Sequence, residues 1–491
     1  MQFATIARVL GVLRTTLRIL GLLLMLFSLT LLVPISVSLW FHDQNYLTFL
    51  IGFVITFGAG AATWLPVRGQ HQDLRTRDGF LITALFWFVL GSFGAIPLYF
   101  SMGLDLSVTD AIFESLSGLT TTGATVVSGL DALPPSILYY RHQLQWLGGI
   151  GIIVIAVAIL PLLGIGGMQL YRAEAPGPVK DNKLTPRITE TAKALFLIYL
   201  GFTLTCFIAY KLAGMSWFEA LGHSFSTVAN GGFSSHDESL RYYDSPAILL
   251  ICSVFMVLAG ANFALHFIAW RDKSLWHYMQ DAEFRFYFGW IVFGSVVTVS
   301  YLYASETLAF TDSLVLGIYN LASTLTTAGF ASDFNLWPSF LPYMLFLLAF
   351  LGGCASSTGG GIKMIRVLLL YKQGVREVNR LIHPNAVIPV KIGKISVPDR
   401  VIEAVWGFFA MYVVTYIVMF LALLMTGLDL ETAFSAVGAC ITNLGPGMGD
   451  VASNYGTISD PAKWILTFAM LLGRLEVFTL LVLFSPMFWR R

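Results

Sequence analysis

The sequence predicts an all-α polytopic membrane protein: four pseudo-repeated helix–pore-loop–helix modules around one pore, preceded by a two-helix hairpin. Three observations carry that prediction. The 491-residue chain is 56% hydrophobic and 12% charged, with mean hydropathy +0.75, about half the charge share of a soluble domain. Apolar runs of about 18 or more residues, the length of a bilayer-crossing helix, recur throughout. A short polar run ending in glycine returns four times, at Gly123, Gly232, Gly329 and Gly445.

The repeat is more than a shared glycine. Apolar Leu119, Val228, Leu325 and Ile441 stand four residues before it, and Thr120, Ala229, Thr326 and Thr442 three before. Small residues lie further ahead, Ser117, Ser226, Ser323 and Ala436. The glycines are 109, 97 and 116 residues apart. That period is too long for a solenoid repeat and suits a membrane module used four times.

In chain order, Arg8, Arg14 and Arg18 precede a first span near Leu17 to Trp40. A second, near Tyr46 to Pro66, returns to Arg68, Arg75 and Arg77. Clustered basic residues mark the inner side. This hairpin has no pore-like loop and forms a unit of its own, residues 1–70. The first module, 71–170, has spans near Phe80 to Phe100 and Ile137 to Leu163. The second, 171–275, begins with a linker carrying Arg172, Lys180, Lys183 and Arg187 among Pro176, Pro178 and Pro186, then spans near Ala194 to Leu212 and Ala247 to Trp270. The third, 276–385, has spans near Phe286 to Tyr303 and Leu341 to Leu370. The fourth, 386–491, has spans near Val401 to Met425 and Trp464 to Phe484. Both ends of every module are therefore inside, and so are both termini. All four loops dip from the outer side, which makes the repeats parallel rather than inverted. Glu114, Glu219 and most other acids fall on the outer side, where few bases join them, chiefly Arg141, Lys211, Arg241 and Lys463. Individually the carboxylates read as solvated loop charges, and collectively they concentrate cations at the mouth.

Non-helical backbone at membrane depth is tolerated only where it lines a cavity or is buried in protein. A half-helix followed by a short strand meets that rule, and Ala111 to Leu119, Ala220 to Val228, Gly317 to Leu325 and Ala433 to Ile441 are long enough. The C-terminal end of such a helix favours a cation before it. Glycine then lets the backbone turn its carbonyls toward an axis. Four copies give rings of oxygens that replace a cation's water. The candidate filter is Thr120, Thr121, Thr122, Gly123; Asn230, Gly231, Gly232; Thr326, Thr327, Ala328, Gly329; and Thr442, Asn443, Leu444, Gly445. Its four sides are not chemically equal.

Leu341 to Leu370 is 30 residues, longer than the roughly 20 of a straight span. It holds Gly352, Gly353, Cys354, Ala355, Ser356, Ser357, Thr358, Gly359, Gly360, Gly361, Ile362 and Lys363. Each glycine costs a helix about 1 kcal/mol against alanine, so a broken helix with a loop beneath the filter is expected. Arg474 lies within the last span. A mid-membrane charge costs about 2.5–3.5 kcal/mol on insertion scales and so needs a partner or water. Carbonyls of the 352–361 loop would suit it, and its charge would repel cations there. Glu476, two residues on, points elsewhere on a helix.

The four loops, LTTTGATVV, STVANGGFSS, STLTTAGF and ITNLGPGMGD, resemble those of the Trk/Ktr/plant high-affinity potassium transporter superfamily. QWLGGIGIIVIAVAILPLLGIGG, LLGRLEVFTLLVLFSP and the N-terminal hairpin are similar to its bacterial TrkH branch. The resemblance covers nearly the whole chain. It implies potassium uptake across the bacterial inner membrane, a homodimer with one pore per subunit, and a TrkA-like cytosolic ring that binds nucleotide. Potassium would be the bound ion and nucleotide would act only through that partner, with no covalently bound cofactor. It also implies that Gly123, Gly232, Gly329 and Gly445 supply filter carbonyls, and that Gly352–Gly361 with Lys363 and Arg474 forms a gate. Glycine rather than serine at 123 accords with potassium over sodium.

Other features weigh less. His223 and His266 read as hydrogen-bonded interior histidines, and Asn262 as a polar spot between helices. Cys206, Cys252, Cys354 and Cys440 lack metal or redox spacing. The basic run from Lys372 to Arg400 suits anionic lipid heads, or the ring that the resemblance implies. A net charge of +1 gives nucleic acid no electrostatic purchase. With no Walker A, no H-E-x-x-H and no paired acid and base, enzymatic chemistry is not expected. A gated channel-like transporter and a proton- or sodium-coupled potassium symporter both remain open on the sequence.

Overall fold

The structure, a computed structural model, describes residues 2–69, 76–154, 188–330 and 337–489. The later part of the Ile137–Leu163 span, the basic proline-containing linker, Arg75 and Asp333 fall outside these residues.

The fold is nearly all helix. α1 (Gln2–Thr30), α2 (Leu32–Phe41) and α3 (Tyr46–Trp64) form the N-terminal hairpin. α1 and α3 approach closely where Gly21 meets Gly60; a Cβ on either would lie 2.7–2.8 Å from the other's carbonyl oxygen. Small residues serve this purpose between membrane helices, where water supplies no driving force. Four modules follow. The first is α4 (Thr76–Tyr99), α5 (Val108–Leu119) and α6 (Pro135–Val154). The second is α7 (Ile188–Leu212), α8 (Trp217–Ala229), α9 (Pro246–Ala259) and α10 (Phe263–Arg271). After α11 (Trp276–Gln280), the third is α12 (Ala282–Ala304), α13 (Phe310–Leu325), α14 (Phe340–Ala349) and α15 (Met364–Ile382). A two-residue hairpin, β1 (Lys391–Ile392) against β2 (Ile395–Ser396), leads to the fourth: α16 (Asp399–Leu424), α17 (Leu430–Ile441), α18 (Asp460–Arg474) and α19 (Phe478–Phe484), with α20 (Pro486–Trp489) last.

Among the described residues, six helices are long and apolar enough to cross a membrane, or up to eight if each bent pair counts as one span. The bent pairs correct two expectations. Ala247 to Trp270 is not one helix but α9 and α10 at 92°, and Trp464 to Phe484 is α18 and α19 at 116°. The expected break in the third module is present, with residues 350–363 running as a loop between α14 and α15.

The half-helices α5, α8, α13 and α17 are the buried centre. From Ala433 to Ile441, for example, all but Phe434 are buried. Each carries an acid in its first turn: Asp110, Glu219, Asp312 and Glu431. A carboxylate there meets the positive end of the helix dipole. Ser107, Ser216 and Asp429 also cap three of them through side-chain oxygens, the usual way to satisfy the first free N–H groups. These acids thus have local structural work at the N-terminal helix ends.

Candidate pore and gate

Each half-helix ends in the same backbone sequence of events. Two residues before the repeat glycine, the chain enters the left-handed region at Thr121, Asn230, Thr327 and Asn443, with φ between 51° and 57°. That region is unfavourable for residues with a Cβ and worst for β-branched ones. Gly123, Gly232, Gly329 and Gly445 follow with φ between 71° and 92°. The bend is held by matching hydrogen bonds one residue before each glycine. Thr122, Gly231, Ala328 and Leu444 donate their N–H groups to the carbonyls of Ser117, Ser226, Ser323 and Ala439 at 2.8–2.9 Å. The fourth small residue of the repeat is therefore Ala439; Ala436 sits about one turn earlier. Thr120, Thr326 and Thr442 each return their hydroxyl to the carbonyl four residues back at 2.7 Å. Ala229 leaves the second segment without this bond.

The four segments meet in a closed cycle. A Cβ on Gly123 would lie 2.2 Å from Gly231 O, one on Gly232 2.2 Å from Ala328 O, one on Gly329 1.7 Å from Leu444 O, and one on Gly445 2.5 Å from Thr122 O. Each glycine abuts the carbonyl just before the next segment's glycine, and the fourth returns to the first. Glycine is required here by positive φ and by lack of room for a methyl group.

The sides of the cycle are braced differently. Asn443 Nδ2 donates to Thr122 Oγ1 at 2.8 Å and Met470 O at 3.0 Å. Gln145 spans Gly231 O and the Phe233 N–H. Tyr455 donates its hydroxyl to Gly445 O at 2.7 Å. Glu114, expected as a solvated outer carboxylate, is instead buried and paired with the equally buried Arg141 at 2.8 Å. Lys463 is likewise buried against Asp110 at 2.6 Å. These acids and bases come from different helices, so hydropathy assigned them to the outer side without showing their partners.

The 350–363 loop lies against the C-terminal ends of the half-helices. Thr358 Oγ1 donates to Val228 O at 3.2 Å, Gly360 N donates to Thr327 Oγ1 at 2.6 Å, and Gly361 N donates to Thr442 O at 3.0 Å. Three modules are touched within four loop residues. The glycines answer crowding: a Cβ on Gly360 would lie 2.0 Å from Thr442 O, and one on Gly352 2.2 Å from Gly360 O. Ser357 holds Cys354 O at 2.6 Å. Cys354 N and Thr358 N bond the carbonyls of Gly260 and Ala259, while Phe263 N donates to Ser356 O. The break between α9 and α10 therefore exists where it receives the 350–363 loop. Asn262, read as a polar spot, caps α10 by accepting from Ala264 N at 2.8 Å.

Two cations reach the loop's carbonyls. Lys363 Nζ donates to Gly359 O. Arg474, at the end of α18, donates to Thr358 O at 3.2 Å and to Gly148 O at 3.1 Å. Its guanidinium lies 5.5 Å from the Trp87 ring centroid. Glu476 pairs with Arg366 at 2.5 Å; it lies in the break after α18 with φ 55°, so the helical offset expected of it does not apply. Sequence reasoning missed Glu283, at the start of α12, whose carboxylate accepts from Ala355 N at 2.6 Å. An acid in the first turn of a long span was its sole signal. His223 and His266 are interior and hydrogen-bonded, to Ser234 Oγ and Glu219 O and to Tyr278 Oη and Leu258 O respectively. The four cysteines are buried and free.

Comparison with known proteins finds relatives over nearly the whole chain. A model of the TrkH family of cation transport proteins matches residues 46–491. The chain is similar to the Trk system potassium uptake protein TrkH of Halomonas elongata, 57% identical over 98% of this chain and 100% of that one. It is also similar to the protein of that name from Escherichia coli K12, at 52% identity over 97% and 99%. The crystal structure of the potassium transporter TrkH from Vibrio parahaemolyticus superposes with a TM-score of 0.91 at 49% identity, covering 97% of this chain and 100% of that one.

Proposed function

Since the chain belongs to the TrkH family of cation transport proteins, we propose that it takes up potassium through the four-segment ring and that the 352–361 loop gates the path. The ring's closure carries this reading. Four glycines from four parts of the chain touch in cyclic order, on a backbone turned by positive φ at two positions per segment. Such a ring offers carbonyl oxygens to a partly dehydrated monovalent cation. Below it, Lys363 and Arg474 place positive charge beside the loop, a barrier to cations until the loop moves. The chain is a multi-pass membrane protein and a transporter rather than an enzyme. We place it in the bacterial inner membrane with both termini in the cytoplasm. There it acts as a homodimer regulated by a cytosolic TrkA-like ring through which nucleotide acts.

The test is transport by the purified chain in liposomes, comparing potassium with sodium uptake. Wild type is expected to prefer potassium, and Gly123→Ser to reduce that preference. Unchanged selectivity after serine substitution at each of the four glycines would reject the filter assignment.

A further inference from the structure

The ring is strapped on one side by a buried charge pair. Nine residues before the repeat glycine stand Glu114, His223, Asn320 and Ala436; two residues after it in the first, second and fourth segments stand Thr125, Ser234 and Gly447. In the first two segments these positions bond to each other. Glu114 accepts from Thr125 Oγ1 at 2.9 and 3.0 Å and from Val126 N at 2.9 Å. His223 Nε2 bonds Ser234 Oγ at 3.0 Å. In the fourth, alanine and glycine bring no polar side chain.

Arg141 joins the first two. Its Nε donates to Glu114 Oε1 at 2.8 Å, Nη1 to Ser234 O at 3.1 Å, and Nη2 to Thr125 Oγ1 at 3.1 Å. The guanidinium lies 4.2 Å from the Phe233 ring centroid. Arg141 is 1% exposed and Glu114 0%. One planar group thus holds equivalent points of two neighbouring segments, each two residues outside a filter glycine. Thr125 O also accepts from Tyr455 N at 2.7 Å, which ties the same residue toward the fourth segment.

We propose that Arg141, with Glu114, is a specificity-determining positioning residue for ion selection. The inference rests on reading the four segments as the filter. Neither charge touches the ion. A smaller cation such as sodium is bound well only if the ring contracts around it. The strap opposes contraction between the first and second segments, because Arg141 is fixed at three acceptors at once. Lysine, a single point of charge on a flexible stem, does not reproduce a planar fork. A buried pair otherwise gains little for stability, so geometric control is the return on burying it.

The experiment uses the full chain in liposomes, with potassium and sodium uptake measured on preparations matched by size-exclusion profile. Arg141→Lys and Thr125→Val are expected to lower the potassium-to-sodium uptake ratio about tenfold each, the scale of one charge-assisted hydrogen bond. Thr125→Ser, which keeps the hydroxyl, should stay near wild type. If Arg141→Lys does not fold, the two Thr125 variants decide. An equal fall in Thr125→Ser assigns the effect to packing and overturns the proposal. Unchanged ratios in Arg141→Lys and Thr125→Val, with a lowered ratio in Gly123→Ser, overturn the strap while the filter assignment stands. Unchanged ratios in all of them remove both.

Discussion

The ring and the layer beneath it are built on opposite plans. The ring repeats one backbone rule four times, and its side chains vary from copy to copy. The layer beneath it comes mainly from one module, where a glycine-rich loop donates hydrogen bonds to the half-helix ends of two others. Repetition suits a task every side must do alike, such as presenting oxygens to an ion. Asymmetry suits control, because a single mobile segment moves without dismantling the coordination shell. The structure also shows where the two plans meet. Val228 O and Thr442 O, at or just past the ends of half-helices, accept from the 350–363 loop. Helix-end carbonyls that would otherwise favour a cation are thereby occupied while the loop sits as it does.

The sharpest way to break the ring is a methyl group. Gly329→Ala is expected to have the largest effect, because its Cβ would lie 1.7 Å from Leu444 O, against 2.2 Å at Gly123 and Gly232 and 2.5 Å at Gly445. The left-handed backbone adds about 1–2 kcal/mol to the roughly 1–3 kcal/mol of overpacking. Uptake and the amount of folded protein should fall in the order 329, then 123 and 232, then 445. Equal tolerance of alanine at all four would contradict the closed cycle.

Breaking the gate should do the reverse. Arg474→Ala removes two bonds that fix Thr358 O and Gly148 O, together with the local positive charge. Uptake without regulatory stimulus should rise, measured as the basal rate in liposomes, and a deletion within Gly352–Gly361 should act in the same direction. Loss of flux in well-folded Arg474→Ala would count against a gate. Glu283→Ala should loosen the loop less. It leaves Ala355 N without its carboxylate acceptor, a change on the order of 1–3 kcal/mol, read as faster proteolysis or hydrogen exchange around 354–358.

The contrast between the plans also explains what was legible in the sequence. Each filter loop alone is a turn-like TTTG or ANGG. Four copies at equivalent places turned a weak local signal into a strong one. The break in the third module was visible because five glycines in an over-long span leave no regular helix. The breaks in the second and fourth modules were not. Residues 260–262 offer one glycine, and Leu475, Glu476 and Val477 offer no glycine or proline, so hydropathy runs on unbroken. Glu114 and Arg141 were misread for another reason: 27 residues separate them, and a sliding window sees two charges rather than a pair.

Beside the N-terminal end of α8, stability should depend on pH. Burial disfavours the charged His236 imidazole, but hydrogen bonds with Glu219 and Asp131 outweigh it and raise its pKa above 6.5. Glu219 is driven down to about 2, first by that hydrogen bond with His236. The histidine's contribution is complete below 6.5 and fades as pH rises through its raised value. The carboxylate's is complete above 4.5 and fades as pH falls toward 2. Both describe one shared interaction, so thermal stability in detergent should peak between these limits and decline on the alkaline side. His236→Gln should flatten that decline. An unaltered alkaline slope in the variant would exclude this cluster as its source.

The smallest expected effect tests whether the break between α18 and α19 is strained. Glu476 and Val477 both have positive φ, 55° and 50°, and Phe478 N reaches back to Glu476 O at 2.5 Å. That is a γ-turn of the rare positive-φ kind, centred on a β-branched residue for which such a backbone is an outlier. The turn begins two residues after Arg474, the last residue of α18, so it sets where the arginine's helix ends. Val477→Gly should relieve about 1–2 kcal/mol of backbone strain, partly offset by the lost burial of the valine side chain and by glycine's greater freedom when unfolded. The net change in stability should therefore be near zero, while the break should loosen and basal uptake should rise slightly. Ala at the same position loses the side chain but keeps the strain, so it should be the less stable of the two. If Val477→Ala is instead the more stable, the turn is not held under strain, and the position of Arg474 must be fixed by its carbonyl partners alone.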